Sequence, residues 1–530
     1  MGEEKAAEQV WLETVSVESL PEGKPVAVRA GHRSVLLIRT GHSVYAYGNR
    51  CPHYGMSLEK SVVCQDRLVC PWHLASFEAK TGQRWRPPAL AGLETFQVKV
   101  ENGKVFLRQS SVPKKSIRID ESRCFVVAGA GAAAVAAASQ LRQEGYTGRI
   151  ILVSEETDLP YDRPSLTKAY LLGQRLDEDI LLRQAADYEA DGMELLPGRS
   201  VVRVQRKEKK LILEGGQQLC YEKLLLATGA RPRKLSAPGA ELPGVFYLRR
   251  LAEARVIRQR LAEVRKAVVV GSGFLGLEVA ATLREKGIEV HLVTPEVIPL
   301  VRILGREAGE YFLKLHRKNG VFFHPECRVS FSGKNRVEQV HLSNGEKIEA
   351  DIVVAGVGVE IDLNYLEGTG LATAEGVIVD QRQKTADPDI FAAGDLARML
   401  DPFDGCYRRM EHWAEAQRQG QEAARAMLGL SPGEPWVPFF WTRQYQVTFR
   451  YVGYGSKFDT VVTRGYPAAG EFLCGYFLQN RLVAVSGVGK TEDLVWLREI
   501  LRRKLVVSQS QFASEDFDLK QFVGLKEEKP

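Results

Sequence analysis

Residues 124–141 read CFVVAGAGAAAVAAASQL, and this uncharged run decides the fold of the middle of the chain. Its apolar start is typical of a buried strand, and Gly129, Gly131 and Ala134 then form a G-x-G-x-x-A turn that opens a small-residue helix. Such glycines allow a tight turn and a close approach of the backbone to a pyrophosphate, whose charge the helix N-terminus stabilises. The run is long enough to suggest a membrane span, but its pattern predicts a strand–turn–helix that binds a dinucleotide.

The same pattern occurs a second time further along the chain. Gly271, Gly273 and Gly276 follow an apolar run in a G-x-G-x-x-G turn, and a helical segment comes next. One such motif is weak evidence, but an internal duplication strengthens it. Each copy continues to a hairpin-like stretch that ends in an apolar strand and a glycine, at Gly229 and at Gly358. Two dinucleotide sites on doubly wound α/β sheets are therefore predicted.

An acidic residue follows the second strand of each copy, where it can accept hydrogen bonds from a ribose. Glu155 has this place in the first copy, and Glu296 lies slightly displaced from it in the second, so Glu296 either reaches the ribose or misses it. No Lys or Arg lies between Thr294 and Val301 to hold a 2′-phosphate, although Arg302 is near in sequence. This arrangement favours NADH over NADPH.

Up to about residue 110 the chain has a different sequence pattern, in which short runs of alternating apolar and polar residues are separated by turn residues. Asn102-Gly103 is a strong two-residue hairpin signal, so the block is predicted to be a small all-β domain. The predicted strands are Ser34–Ile38, Val44–Tyr47, Phe96–Val100 and Lys104–Leu107.

Two short motifs in this block carry metal ligands. Cys51 and His53 form C-P-H, and Cys70 and His73 form C-P-W-H sixteen residues later. A Rieske [2Fe–2S] cluster needs two Cys on one iron and two His on the other, and each motif supplies one of each. A structural zinc site built from the same four residues is the alternative, but zinc modules more often pair Cys with Cys and His with His in each half.

Composition is that of a globular protein with several domains. The chain has 530 residues, 45% hydrophobic and 26% charged, and a net charge of +6. The densest basic run, 203–210, alternates with valines and is expected to be the solvated end of a strand rather than a nucleic-acid patch. Eight cysteines are too few for a secreted disulfide scaffold, and the six outside the metal motifs are expected to be reduced core residues.

Several segments carry a resemblance to known families. Residues of about 10–108 resemble Rieske domains of bacterial-type ferredoxins, although Leu74 stands where a Gly often follows the last His. Residues of about 123–430 resemble ferredoxin-reductase-type flavoproteins. Together they resemble a Rieske-containing member of the apoptosis-inducing-factor family. The site residues that this resemblance implies are Arg163 and Lys168 in the flavin-proximal segment, Ala227 and Gly229 at a strand end, Gly394 and Asp395 near the ribityl chain, and Trp413 at a helix start near the flavin ring.

The resemblance also implies an order of domains: an N-terminal all-β Rieske domain, two Rossmann-like α/β nucleotide-binding domains and a C-terminal α+β domain. The predicted bounds are a Rieske domain at 1–109, a linker at 110–122, an FAD-binding domain at 123–247 and 371–430, an NAD(P)-binding domain at 248–370 and an interface-like domain at 431–530.

The predicted activity is electron transfer that uses FAD, NAD(P)H and the [2Fe–2S] cluster. A reduced nicotinamide gives a hydride to the flavin, which releases electrons singly to the cluster and on to an acceptor, for which a protein is one candidate. No cysteine lies between Cys124 and Cys220, so there is no redox Cys pair beside the flavin. Lys168 is the candidate to stabilise the flavin by its charge, and Glu278 is the candidate either to orient the nicotinamide or to complement its helix N-terminus.

Two other functions remain open at this point. One is a redox-sensing protein of cell death or signalling in which the cofactors are regulatory. The other is a reductase whose Rieske domain only docks a partner oxygenase. The N-terminus, which starts Met1-Gly2, has no apolar signal region, so an intracellular and preferably cytoplasmic location is expected, and the family resemblance leaves a mitochondrial association open. No membrane span and no nucleic-acid partner are expected.

Overall fold

The structure is a computed structural model that describes residues 11–109, 117–403, 405–455 and 457–525. The chain divides into two compact units. The first contains the described residues up to 109 together with 491–499 and 519–525, and the second contains 117–490 and 500–518. Residues 110–116 of the predicted linker lie outside the described residues, as do the ends of the first and last predicted domains, 1–10 and 526–530.

The N-terminal part of the first unit is built from strands, as predicted. A six-stranded antiparallel sheet has the order β1-β10-β9-β4-β3-β2, and a four-stranded sheet has the order β5-β6-β7-β8. Asn102 and Gly103 both have positive φ, 50° and 75°, which confirms the predicted hairpin turn. The strands are β1 Leu12–Ser16, β2 Pro25–Ala30, β3 Arg33–Thr40, β4 Ser43–Gly48, β5 Val62–Cys64, β6 Arg67–Val69, β7 Ser76–Glu78, β8 Arg84–Arg86, β9 Thr95–Glu101 and β10 Lys104–Gln109.

The first nucleotide-binding copy is a five-stranded parallel sheet in the order β13-β12-β11-β17-β30. A three-stranded meander, β14-β15-β16, follows it and contains the basic run 203–210 at a strand end and turn. The elements are β11 Asp120–Ala128, α1 Ala132–Gln143, β12 Gly148–Val153, α2 Ala185–Ala190, β13 Met193–Leu196, β14 Val201–Gln205, β15 Lys210–Leu213, β16 Gln218–Cys220 and β17 Lys223–Leu226.

The second copy repeats this plan, with a parallel sheet in the order β19-β26-β20-β21-β22 and a meander β23-β24-β25. The short strands β18 and β27 pair with each other. The elements are β18 Arg231–Pro232, β19 Val245–Phe246, α3 Leu251–Arg260, β20 Lys266–Val270, α4 Phe274–Glu285, β21 Glu289–Val293, α5 Val301–Lys318, β22 Val321–His324, β23 Val329–Ser332, β24 Gln339–Leu342, β25 Lys347–Glu349, β26 Ile352–Ala355 and β27 Val359–Glu360.

The chain then returns to the first sheet and ends in a five-stranded antiparallel sheet with the order β33-β34-β37-β36-β35. The remaining elements are β28 Ala372–Thr373, β29 Gly376–Ile378, β30 Ile390–Ala392, β31 Ala397–Leu400, β32 Tyr407–Arg409, α6 Trp413–Met427, β33 Phe439–Gln444, β34 Val447–Gly453, β35 Thr460–Tyr466, β36 Glu471–Leu478, β37 Arg481–Val488, α7 Thr491–Arg502, α8 Gln509–Ala513 and α9 Leu519–Leu525.

One expectation needs correction. Cys220 and Cys406 are exposed rather than in the core, Cys220 because it lies on an outer strand of a small meander. In the C-terminal sheet, β33 and β34 form a hairpin, with Tyr445 at φ 54° in a turn without Gly. The uncharged run 124–141 is the predicted strand–turn–helix, and among the described residues no helix has the length and apolar character to cross a membrane.

Candidate active site

The two metal-ligand loops of the first unit have the same backbone design. In each, the carbonyl of the Cys accepts a hydrogen bond from the backbone N–H four residues on, Gly55 to Cys51 at 2.8 Å and Leu74 to Cys70 at 3.1 Å. Gly55 and Leu74 both have left-handed φ, 67° and 54°. A glycine suits this conformation and a leucine does not, at a cost of about 1–2 kcal/mol. The loop that ends at Leu74 therefore keeps the turn although it lacks the usual Gly.

These loops bring like ligands together. Cys51 and Cys70 are buried in one core cluster, and a hydrogen bond between their thiols, followed by burial, raises the pKa of Cys51. The Nδ1 atoms of His53 and His73 face each other at 3.1 Å. Within the described residues no three His, Cys, Asp or Glu side chains converge so as to hold one metal ion. A Cys pair beside a His pair is the donor set of a two-iron Rieske cluster, with two protein ligands on each iron.

The second unit contains a cavity of about 620 Å³ where the predicted flavin-site residues meet. The predicted residues that line it are Gly129, Gly131, Glu155, Arg163, Lys168, Ala227, Gly229, Glu278, Gly394, Asp395 and Trp413. In the part of the chain that the structure describes, the indole Nε1 of Trp413 is buried and has no hydrogen-bond partner. A buried donor usually has a partner, so a ligand with acceptor atoms fits this cavity.

The first glycine turn forms one wall of the cavity. A Cβ on Gly129 would lie 2.1 Å from the carbonyl oxygen of Ala227, and Gly129 has φ 127°, so only glycine fits. A Cβ on Gly131 would meet nothing within 4 Å. Gly131 precedes helix α1 without a side-chain cap, so the first N–H groups of the helix are open to an anion. These features suit the pyrophosphate of FAD.

Two neighbouring acids on the cavity wall have different surroundings. Glu155 is partly exposed and receives a hydrogen bond from Arg250 at 2.9 Å. Glu156 accepts from Tyr161 and Arg163, both at 2.5 Å. Burial raises the pKa of Glu156, but the charge of Arg163 and these hydrogen bonds outweigh it and hold the pKa below its ordinary value. Glu155 is therefore the acid that is accessible to a ribose, while Glu156 fixes Arg163.

The predicted catalytic pair is in direct contact. Lys168 Nζ lies 2.6 Å from Glu278 Oε2, and the hydroxyl of Thr167 donates to the same oxygen at 2.6 Å. The hydroxyl of Thr442 donates to Oε1 at 2.7 Å. Lys168 interrupts a π-helical turn, Leu166–Tyr170, with φ −126° and ψ −110°, and such irregular turns are frequent at functional sites. Lys168 thus presents a cation to the cavity and Glu278 holds it there.

The start of helix α6 contributes a second group of side chains. Burial lowers the pKa of His412 to about 4, so its imidazole is neutral, and it stacks on Phe440 at 4.2 Å. Burial and then the charge of Asp395 raise the pKa of Glu411. Arg249 pairs with Asp395 at 2.5 Å. This part of the wall carries acceptors and a charge pair beside aromatic surface.

Not every predicted site residue lines the cavity. Ala134 is packed in helix α1, and Gly271, Gly273 and Gly276 form the second glycine turn, which is distinct from the cavity lining. Glu296 follows strand β21 and pairs with Arg302 at 2.5 Å. Gly358 follows strand β26 and its carbonyl accepts from the backbone of Arg233 at 3.0 Å, so the structure does not bring Gly358 to this cavity.

Sequence reasoning missed several residues of the wall. The cavity is also lined by Tyr161, Thr167, Arg249, His412 and Phe440. Thr442 does not line the cavity but donates a hydrogen bond to Glu278, which does. The segment around Tyr161 and the helix start at His412 lie inside stretches that the sequence had marked, so individual polar residues there were accessible to inference. Phe440 and Thr442 come from the C-terminal sheet, and no local signal connects them with a flavin site.

Comparisons with known proteins agree with this geometry. The family model of pyridine nucleotide-disulphide oxidoreductases matches residues 124–420, the model of Rieske [2Fe–2S] domains matches 10–97, and the model of reductase C-terminal domains matches 439–523. The predicted fold class, the FAD and NAD cofactors and the Rieske cluster are thereby confirmed.

Relatives cover most of the chain. Apoptosis-inducing factor 3 of Homo sapiens is 35% identical over 512 residues, 92% of this chain and 83% of that protein. Rhodocoxin reductase of Rhodococcus erythropolis is 37% identical over 398 residues, 75% of this chain and 93% of that protein. The solved covalent complex of putidaredoxin reductase with putidaredoxin is similar with a TM-score of 0.74 and 30% identity, and the match covers 77% of this chain and 100% of that one.

Proposed function

Because this chain belongs to the pyridine nucleotide-disulphide oxidoreductase family, as an FAD-dependent NAD(P)H oxidoreductase with a Rieske domain, we propose that the Rieske domain is its electron outlet. Electrons from NAD(P)H pass by way of the flavin to the cluster of the same chain, and from there to a separate protein acceptor. The observation that carries this proposal is the pairing of Cys51 with Cys70 and of His53 with His73, a complete set of cluster ligands in a chain that also has the flavin cavity.

The bound groups supply the redox chemistry: hydride transfer by nicotinamide and FAD, and one-electron transfer by the [2Fe–2S] cluster. The protein binds and orients them. Open N–H groups at the start of helix α1 bind a pyrophosphate, and Glu155 is the accessible acid for a ribose. Lys168 places a positive charge on the cavity wall, where it stabilises negative charge on a bound ring, and Glu278 fixes that ammonium.

A protein acceptor fits the relatives. Putidaredoxin reductase and rhodocoxin reductase are named for the partners that they reduce, and the first has been solved in a covalent complex with putidaredoxin. In this chain an iron–sulfur domain precedes the reductase part. We infer that this domain takes the place of such a partner and that a further protein receives the electron.

A His73→Ala variant of the holoenzyme tests the outlet. NADH-dependent bleaching of the flavin and reduction of small artificial acceptors should remain near the wild-type rate, because the cavity lies wholly in the second unit. Steady-state reduction of a protein acceptor such as cytochrome c should fall by more than roughly tenfold, as expected when a cofactor needed for transfer is lost. His42→Ala, at an exposed position of the same unit, is the matched control and should behave as wild type.

Two outcomes would contradict the proposal. If His73→Ala lacked its cluster and still reduced the protein acceptor at the normal rate, a docking or redox-sensing role for the Rieske domain would replace the outlet. If anaerobically purified protein contained zinc and no acid-labile sulfide, the four ligands would form the alternative zinc site.

For the location, we propose an intracellular compartment, with the cytoplasm favoured over the mitochondrion. None of the eight cysteines, all of which lie in the described residues, forms a disulfide, which suits a reducing compartment. Fractionation of cells that express the tagged chain tests this, and recovery in the secreted fraction would overturn it.

A further inference from the structure

A chain of hydrogen bonds leads away from the back of the predicted catalytic pair. The Thr442 hydroxyl donates to Glu278 Oε1 at 2.7 Å, and the Gln444 amide Nε2 donates to Thr442 Oγ1 at 3.2 Å. His316 Nε2 lies 2.7 Å from Gln444 Oε1. The hydroxyl of Tyr445 lies 3.2 Å from His316 Nδ1. The chain therefore joins five side chains in an unbroken line that ends on the carboxylate.

The members come from three separate elements. Glu278 lies on helix α4 and His316 on helix α5, both in the second nucleotide-binding copy, whereas Thr442 and Gln444 lie two residues apart on strand β33 and therefore face the same side. Their exposed fractions are 8%, 0%, 1% and 1%. Water cannot replace these partners, so the hydrogen bonds hold the C-terminal sheet against the nucleotide-binding part at a fixed geometry.

The donor and acceptor roles along the chain follow from its end. The Thr442 hydroxyl donates its single proton to Glu278, so its oxygen must accept from the Gln444 amide. The Gln444 carbonyl oxygen then needs a donor, which is His316 Nε2–H. A neutral imidazole has one N–H, so His316 Nδ1 accepts from the Tyr445 hydroxyl. All four hydrogen bonds run in one direction, and aligned chains polarise one another.

We propose that Thr442, Gln444 and His316 are positioning residues that act on the reaction through Glu278. Their aligned donors hold the Glu278 carboxylate in one rotamer, so that the Lys168 ammonium keeps its place on the cavity wall. This inference rests on the proposed role of the cavity in NADH-dependent flavin reduction, and it assigns a function to the contact between the C-terminal sheet and helices α4 and α5.

Two physical points support the proposal. A buried carboxylate is costly unless each oxygen has donors, and Thr442 serves Oε1 while Lys168 and Thr167 serve Oε2. Burial also lowers the pKa of His316 to about 4, so its imidazole is neutral at ordinary pH and can donate on one side while it accepts on the other.

The first test is the protonation pattern of His316 itself. Long-range ¹⁵N NMR of histidine-labelled protein distinguishes the two neutral tautomers, and a His316→Gln variant assigns the signal. The wild-type protein should show the Nε2–H tautomer of His316 both without NADH and during turnover. The Nδ1–H tautomer or a charged imidazole at neutral pH would overturn the proposal, and this result does not depend on any electron acceptor.

The second test removes the link nearest to Glu278. Thr442→Val keeps the shape of the side chain without the hydroxyl, and its rate of flavin reduction by NADH should fall roughly tenfold, as for a lost hydrogen bond to a charged group. Thr442→Ser should stay within about twofold of wild type, since it keeps the donor. Thr448→Val, on the neighbouring strand β34 and away from the chain, is the matched control.

The outcomes separate this inference from the proposed function. A wild-type rate of flavin reduction in Thr442→Val, or an equal loss in Thr442→Ser, would mean that the hydroxyl does not act through Glu278. Either result would overturn the proposal. Failure of the Rieske outlet would leave NADH-dependent flavin reduction and the His316 tautomer unchanged. If Thr442→Val does not fold, the wild-type tautomer decides by itself.

Discussion

The two nucleotide-binding copies form the same glycine turn with different tolerance for side chains. Gly129 and Gly271 correspond, with φ 127° and 104°, and a Cβ on either would collide with a backbone carbonyl of the neighbouring strand end, at 2.1 and 2.4 Å. Gly131 and Gly273 also correspond, and a Cβ on either would meet nothing within 4 Å. The first glycine is thus required by the protein, whereas the second leaves room for a ligand.

The third position of the turn separates the copies. In the first it is Ala134, whose methyl group is fully buried and accommodated. In the second it is Gly276, where a Cβ would lie 2.0 Å from the carbonyl oxygen of Gly271. Helix α4 therefore lies closer to its own turn than helix α1 does. The Ala and Gly variants of the fingerprint describe two helix–turn distances rather than one interchangeable motif.

The largest expected effect comes from exchanging this third position. Gly276→Ala should strain the second turn by about 1–3 kcal/mol. If this strain falls on the bound state, NADH affinity should decrease roughly ten- to a hundredfold. FAD should stay bound, because the cavity that we propose for it has its own glycine turn. Titration of the oxidised enzyme with NAD⁺ and of the reduced enzyme with NADH, with flavin content measured alongside, checks both points.

Ala134→Gly is the matched reverse change, with an expected loss of no more than about 1 kcal/mol from helix propensity. If Gly276→Ala bound NADH normally, the helix–turn distance would not differ between the copies in solution.

A smaller effect is expected at the second glycine of each turn. Gly131→Ala should lower FAD retention and leave NADH binding intact, and Gly273→Ala should do the opposite, each by roughly tenfold because the methyl group fills the space for a pyrophosphate. Flavin release on dilution and the KM for NADH measure the two effects. Loss of both ligands in either variant would show that the methyl group disturbs the fold rather than one site.

How far the sequence predicts the molecule depends on whether a feature is local. The glycine turns, the Asn102–Gly103 hairpin and the two Cys–His motifs are each encoded within a few residues, and the structure has them where they were expected. The ligand pairing in the first unit also follows from the chemistry of the cluster.

Features that depend on distant contacts could not be predicted in this way. Thr442 reaches Glu278 from a strand more than 160 positions away, and His316 joins them from a helix whose sequence gives no sign of a site. The hairpin at Tyr445 likewise has no local signal, because its turn has no Gly, Asn or Pro at the left-handed position. Gly358 follows a strand end of the second copy, as predicted, and is not among the residues that line the flavin cavity.

Substitution of the acids that follow the second strands should change ligand binding less than substitution of the glycines does. Glu155 is held by Arg250 at 2.9 Å and approached by Arg231 at 3.5 Å, and it remains partly exposed. Glu155→Ala should weaken FAD binding by roughly fivefold, the effect of a charge-assisted hydrogen bond discounted for exposure. Equilibrium dialysis of the apoprotein with FAD measures it, with Glu214→Ala, at an exposed turn, as control. Unchanged retention would mean that another residue binds the ribose.

The smallest effect is expected at the corresponding acid of the second copy. Glu296 pairs with Arg302 at 2.5 Å, and the side chain of Arg302 is 79% exposed. This pair refines the predicted preference for NADH. The Glu296 carboxylate can accept a hydrogen bond from a ribose, and it also pairs with the guanidinium that a 2′-phosphate would need. Glu296→Ala should therefore release Arg302 and lower the ratio of kcat/KM for NADH over NADPH.

The expected change in this ratio is about threefold, since exposed ion pairs contribute at most about 1 kcal/mol. Arg302→Ala should leave the NADH preference intact, because it removes a cation that NADH does not use. Steady-state reduction of ferricyanide, which needs only the flavin, gives both kcat/KM values without the Rieske domain. An unchanged ratio in Glu296→Ala would show that this acid does not select the nucleotide, and the two copies would then share the glycine turn but not the ribose contact.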